Sequence, residues 1–220
     1  MSASAYAVCA SLTRRPFGLL EVPGHRAAAA RRLRGLVRRE GYRIGTGFLG
    51  TPLITDALTN AGAISSAYEL PLQRKCPSWL YPVTMGATTI WERWDSLLPD
   101  GTVNPGEMTS FNHYAFGAVA DWLHRTVAGL APADPGYRRI VVRPRPGGGL
   151  THASAAHDSP YGRIQVAWQL VGDRIEVDVT VPPGVTALVQ LPTATFTPVE
   201  VGAGQHHFTA SEVPPCSESA

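Results

Sequence analysis

Two short stretches hold the side chains best suited to chemistry. In GATTIWERWDS, residues 86–96, Glu92 stands between Trp91 and Trp94, with Trp79 and Tyr81 close by in sequence. In MTSFNHYAFG, residues 108–117, Asn112 and His113 open a strongly helical stretch. Aromatic faces beside carboxylates and amides suit a carbohydrate, because flat apolar walls meet the C–H face of a sugar and polar groups take its hydroxyls. A histidine in the first turn of a helix feels the positive end of the helix dipole, which favours the neutral imidazole and leaves one ring nitrogen to accept a hydrogen bond. Each residue also has a plainer reading: Glu92 as a solvated acid paired with Arg93, His113 as a capping or core-edge residue, and the tryptophans as packing. The other nearby acids are Asp95, Asp100 and Glu107. Glycoside hydrolysis uses two carboxyl groups, roughly 6.5–9.5 Å apart in inverting enzymes, and the sequence does not say which two would pair.

The elements that must position these residues are helical. If residues 86–95 form a helix, Trp91 and Trp94 share one face while Glu92 lies on another with Thr88 and Asp95. Residues 111–128 give the strongest helical signal, with Phe111, Tyr114, Ala115, Ala118, Val119, Trp122, Leu123 and Val127 on one stripe, Ser110 as cap and Gly129 as stop. Upstream, Ala5, Tyr6, Val8 and Cys9 suggest a first helix ending near Pro16 and Gly18, and residues 25–40 suggest a second stopped by Gly41. The glycines of GYRIGTGFLGTP, residues 41–52, fit a tight interhelical turn. A phosphate loop would need a preceding strand and a following Lys-Ser/Thr, and both are missing. Thr51-Pro52 then begins a helix to Asn60, residues 63–76 continue in helical pattern until Pro71 kinks or ends them, and Ser78 can cap the next helix.

The period changes beyond LAPADPGYRR, residues 130–139. Ile164, Val166 and Trp168 alternate, Gly172-Asp173 reads as a hairpin turn, and Ile175, Val177, Val179 and Val181 alternate again before Pro182-Pro183-Gly184. The chain is therefore expected to be a multidomain α+β protein: a helical domain over 1–130, a linker over 131–136, an antiparallel β-sandwich over 137–210, and a disordered tail over 211–220.

Composition narrows the function classes. With 44% hydrophobic and 16% charged residues among 220, and a net charge of +2, the chain reads as an ordinary soluble protein with no general attraction to polyanions. Six arginines, Arg26, Arg31, Arg32, Arg34, Arg38 and Arg39, share one segment, yet Leu33, Leu36, Val37 and the alanines at 27–30 supply an apolar side. The arginines then fit a solvated helix face, and no nucleic-acid motif accompanies them. Cys9, Cys76 and Cys216 are widely spaced, which implies neither a disulfide framework nor a metal site, and no cofactor signature is present. No leader-like segment and no run of about 18 apolar residues occurs, so neither export nor a membrane partner is expected, leaving a cytoplasmic location by default.

The run CPSWLYPVTMGATTIWERWDSLLPDGTVNPGEMTSFNHYAFGAVADWLHRTVAGLAP, residues 76–132, resembles the C-terminal part of bacterial α-L-rhamnosidases of glycoside hydrolase family 78. The likeness extends back through GYRIGTGFLGTPLITDALTNAG and forward through YRRIVVRPRPGGGLTHASAAHDSPYGRIQVAW to the VPPG turn. It implies the last helices of an (α/α)6 barrel followed by the family's C-terminal β-sandwich. By that resemblance Glu92 matches the general base of an inverting mechanism and His113 matches a histidine that hydrogen-bonds rhamnose hydroxyls, with Trp79, Trp91 and Trp94 as wall or packing residues. The family's general acid lies in a DGxxRDE-type segment with no counterpart in these 220 residues. The resemblance thus implies a rhamnose-containing glycoside as substrate and little activity from this chain alone. The alternative is a non-catalytic remnant or carbohydrate-binding module. An incomplete ring of helices would expose its inner apolar face, so self-association or a complementary N-terminal chain is expected.

Overall fold

The computed structural model describes residues 24–211 and residue 213. The helix expected around Ala5–Cys9 and nearly all of the expected tail lie outside the described residues. The chain divides into two compact units at Ala120 and Asp121.

The first unit opens with α1 (His25–Arg39), whose alanines and arginines are strong helix formers and whose Leu33 and Val37 are buried. Gly41 ends it in the left-handed region: its N–H donates to Arg38 O, and the Tyr42 N–H donates to Val37 O, so the last carbonyls are satisfied. Helix α2 (Thr51–Asn60) carries Pro52 in its first turn and buries Ile54, Ala57 and Leu58. Gly62 closes it by the same pair of bonds, to Thr59 O and from Ala63 to Leu58 O. Helix α2 packs on α1 and on α3 (Ile64–Leu72), which ends one residue after Pro71. Helix α4 (Leu80–Thr84) begins where the Tyr81 N–H donates to Ser78 Oγ.

Two expectations change in this unit. Residues 86–95 form no helix, because Gly86 at φ 85° turns the chain out of α4 and its N–H, with that of Ala87, caps Val83 and Pro82. The stretch 111–128 also starts helical structure later than the stripe predicts. Glu92 N–H donates to Ser110 O and His113 N–H to Ile90 O, so residues 110–113 spend their backbone groups across to 89–92 and cannot turn helical. Helical structure begins with a 3-10 turn at Ala115–Ala118, continues as α5 (Val119–Trp122) and finishes in a π turn at Leu123–Val127. Phe116, Trp122 and Val127 are buried, whereas Phe111, Tyr114 and Leu123 of the expected stripe are exposed.

The second unit holds two four-stranded sheets around one core. One runs β1 (Leu130–Pro132), β2 (Arg139–Val142), β6 (Thr186–Val189), β7 (Val199–Val201), and the other β3 (His152–Ser159), β4 (Gly162–Val171), β5 (Arg174–Val181), β8 (Gly204–Ala210). All pairs are antiparallel except β2 with β6. The β4–β5 hairpin turns at Gly172-Asp173 as the alternation predicts, with Val171 opposite Arg174. Ile164, Val166, Trp168, Ile175, Val177 and Val179 point inward with Leu130, Ile140 and Val142. The segment expected as a linker is instead part of this unit: Ala131 and Pro132 pair with Val141 and Ile140, and Pro135–Tyr137 forms a 3-10 turn.

Among the described residues no helix is long and apolar enough to cross a membrane, and no group of three or more His, Cys, Asp or Glu residues could hold a metal ion.

Candidate active site

The backbone bonds that hold 89–92 beside 110–113 bring together the two stretches singled out by their chemistry. Glu92 and Ser110 bond reciprocally: the Glu92 N–H donates to Ser110 O at 2.9 Å, and the Ser110 N–H donates to Glu92 Oε2 at 3.2 Å. Thr89 Oγ1 donates to Phe111 O beside them. The Glu92 side chain is therefore aimed by its neighbour's backbone, and no cation pairs with it among the described residues.

Asp95 behaves differently. It accepts from Arg93 Nε at 2.7 Å and Arg93 Nη2 at 3.2 Å, and from Asn104 Nδ2 at 3.0 Å, while that amide also donates to Asp95 O at 3.1 Å. Arg93 Nη1 reaches on to Glu107 O at 3.1 Å. This clamp ties the loop bearing Glu92 to the loop 104–107, where Gly106 leaves room for the guanidinium: a Cβ there would stand 2.7 Å from Arg93 Nη1. Arg93, the obvious partner for Glu92 in the plain reading, is committed to Asp95. Asp100 sits apart in its own turn, where hydrogen bonds from Thr102 hold its carboxyl below the usual range.

Glu92, Asp95 and Glu107 line a cavity of about 330 Å³ with Thr46, Gly47, Phe48, Arg93, Trp94, Met108 and Phe116. Its wall is aromatic. Trp94 stacks on Phe116 with centroids 3.8 Å apart at 10°, and Phe116 meets Phe48 at 5.0 Å. Phe48 in turn faces His113, whose ring lies between Phe48 at 5.3 Å and Tyr114 at 5.1 Å, near parallel to both. The Ala115 N–H donates to His113 Nδ1 at 3.3 Å, so that nitrogen is the acceptor and, in the neutral ring, Nε2 carries the proton. His113 thus precedes the helical run, bonds its first N–H and stacks on Phe48 of the cavity wall, but it is not itself among the residues that line the cavity.

The three tryptophans separate by burial. Trp79 is 9% exposed and donates from Nε1 to Phe116 O at 2.8 Å, and Trp91 is 4% exposed with its ring edge-on to Phe111, so both act in packing and neither lines the cavity. Trp94, stacked and half-buried, forms the wall. Sequence reasoning missed Phe48. Its signal was the GTGFLG turn: the Thr51 hydroxyl donates to Gly47 O at 2.9 Å, locking the turn at the start of α2 and leaving Phe48 and Leu49 to project, the latter 75% exposed. A larger apolar cavity of about 520 Å³ between α1 and residues 43–47 is also lined by Trp94, but Glu40 is its only acid and neither Glu92 nor His113 lines it.

Comparison with known proteins gives a consistent picture. The family model described as the bacterial alpha-L-rhamnosidase 6 hairpin glycosidase domain matches residues 4–127, and that of the bacterial alpha-L-rhamnosidase C-terminal domain matches 129–205. A curated alpha-L-rhamnosidase of Streptomyces avermitilis is 42% identical over 223 aligned residues, covering 94% of this chain and 21% of its own length. Among solved structures, native α-L-rhamnosidase from Aspergillus terreus superposes with a TM-score of 0.88 at 42% identity, over 93% of this chain and 24% of that one. The Streptomyces avermitilis α-L-rhamnosidase complexed with L-rhamnose superposes at 0.85 and 40% identity, over 94% and 21%. The chain spans about a fifth of the length of the curated relative and about a quarter or less of these structures.

Proposed function

The chain belongs to the bacterial α-L-rhamnosidase family, and from that premise we propose that it forms part of a glycoside hydrolase site that removes terminal α-L-rhamnose from glycosides with inversion. Glu92 is the general base in this reading. It takes a proton from water as the water oxygen attacks the anomeric carbon and the bond to the leaving oxygen breaks. His113 donates from Nε2 to a sugar hydroxyl, and Trp94 with Phe48 walls the ring. Trp79, edge-on to Trp94 at 5.5 Å, supports that wall, and Trp91 packs against Phe111, close to His113 in sequence.

The observation that carries the reading is the contrast between two carboxylates three residues apart. Asp95 is consumed by Arg93 and Asn104, while Glu92, in the same cavity, has one oxygen held by a backbone N–H and no cation paired with it among the described residues. A base must keep a lone pair for water: the Glu92 and Glu107 carboxylates both have that freedom among the described residues, and of the two only Glu92 is aimed by a backbone N–H. The leaving oxygen needs a proton from a general acid, and the family's acid-bearing segment has no counterpart among these residues. The partners in this reading are a rhamnose-containing glycoside and a complementary polypeptide that supplies the acid; Leu49, Met108 and Tyr114, exposed in the segments around the cavity, offer an apolar surface to that polypeptide or to a second copy of the chain.

An activated leaving group needs little protonation, so a dinitrophenyl rhamnoside isolates the contribution of the base. Glu92→Gln is expected to lower kcat by about 10²–10⁴ with KM little changed. Equal turnover by both proteins would remove Glu92 from the role. Saturable binding of L-rhamnose with no turnover by the parent chain would favour the second reading, a half-site that holds sugar without cleaving it.

A further inference from the structure

A second cavity, wholly within the β unit, has the makings of a ligand site. It measures about 370 Å³ and is lined by Arg125, Thr126, Gly129, Ala131, Pro132, Val141, Arg143 and Gln190. Its frame is fixed by backbone bonds: the Arg143 N–H donates to Gly129 O at 2.8 Å, the Arg145 N–H to Thr126 O at 3.0 Å, and the Gln190 N–H to Val142 O at 2.8 Å. Gly129, at φ 89°, lets the chain cross so closely that a Cβ would stand 2.3 Å from Pro144 N. The end of the helical run and the strand segment after β2 are thereby locked together around the opening.

The charge at this cavity is unbalanced. Arg125 is paired with Asp121, its Nε donating to Oδ2 at 2.8 Å, but Arg143 is exposed with no acid paired to it among the described residues. Burial, and after it the neighbouring Arg143, push the Arg145 guanidinium below its ordinary value. The carbonyls ending the helical run do not offset it, since Thr126 O, Val127 O and Gly129 O already accept from Arg145, Trp168 Nε1 and Arg143. Beside the cations stand two neutral groups, the Gln190 amide and the hydroxyl of Thr126, a residue only 7% exposed whose side chain makes no hydrogen bond among the described residues.

We propose that this cavity binds a small polyhydroxylated carboxylate, an acidic monosaccharide unit, with Arg143 taking the carboxylate and Gln190 and Thr126 taking ring hydroxyls. A guanidinium fork matches a carboxylate edge to edge, and amide and hydroxyl groups match the mixed donors and acceptors of a polyol. The volume suits one sugar ring. The site shares no lining residue with the Glu92 cavity and does not depend on the catalytic reading.

The test is calorimetric titration of the full chain at low salt with glucuronate, glucose and inorganic phosphate. Saturable glucuronate binding, at least tenfold tighter than either of the others, is expected. Arg143→Ala should weaken glucuronate at least tenfold, while Gln190→Leu should weaken glucuronate and leave phosphate unchanged. Circular dichroism confirms that each variant is folded, and Gln190→Leu carries the test if Arg143→Ala is not. Absence of glucuronate binding overturns the proposal. So does binding undiminished in both variants, or phosphate held as tightly as glucuronate, which would reduce the site to a general anion trap.

Discussion

The clamp beneath Glu92 yields a prediction whose size follows from its geometry. Asp95→Ala removes three acceptor contacts, two from Arg93 and one from Asn104, and leaves a guanidinium that is only about one-third exposed without its counter-charge. Hydrogen bonds to charged groups contribute about 1.5–3 kcal/mol each when buried, but an exposed ion pair contributes about 1 kcal/mol or less. With both side chains a third open to solvent, the screened sum comes to roughly 2 kcal/mol. For a chain of this size that corresponds to a fall in Tm of about 4–8 °C. Asp95→Asn keeps the shape and one acceptor, and should lose about half as much. Differential scanning calorimetry reads both variants. If Asp95→Ala melts with the parent, the clamp does not hold the loop, and the contrast drawn between Asp95 and Glu92 loses its physical basis.

Three further outcomes are expected. Phe48→Ala removes one of the two rings that flank His113 and should cost about 2 kcal/mol, with a marked change in the His113 imidazole resonances and weaker L-rhamnose binding by NMR. Gly129→Ala places a methyl group against the Pro144 backbone at a positive φ and should destabilise the β unit by about 3 kcal/mol or more, read by chemical denaturation. Burial, with Asp95 next in importance, pushes the Cys76 thiol up to about 11. The folded chain keeps that proton between the ordinary thiol range and pH 11, so alkylation of Cys76, followed by peptide mass spectrometry, should run roughly tenfold slower near neutrality than in the unfolded chain and keep rising where an ordinary thiol has levelled off.

Much of this fold is legible from local rules. Gly41 and Gly172 act as the stop and the turn that their neighbours predict, and the alternation through Ile164 to Val181 gives the inner face of the β unit directly. The family resemblance also holds over nearly the whole chain. What periodicity cannot show is competition for backbone groups. Residues 110–113 have a helical stripe, yet Ile90 and Glu92 capture their N–H and C=O groups first, and no count of apolar spacing contains that partner. The same limit applies at the site. Glu92 stands out because it sits among indoles, but its distinction from Asp95 depends on Arg93, Asn104 and the space left by Gly106, which come together only in three dimensions. Trp79 and Trp91 looked equivalent to Trp94 as aromatic residues, and burial alone separates them.

In the proposed mechanism Glu92 activates water on the face of the sugar opposite the leaving group. Proton NMR of the first-formed product from an activated α-L-rhamnoside, recorded before mutarotation and compared between the parent and Glu92→Gln, tests this most directly. The expected result is initial release of β-L-rhamnose by the parent and loss of that signal in the variant. Initial release of the α anomer, or the same β signal from Glu92→Gln, would contradict it.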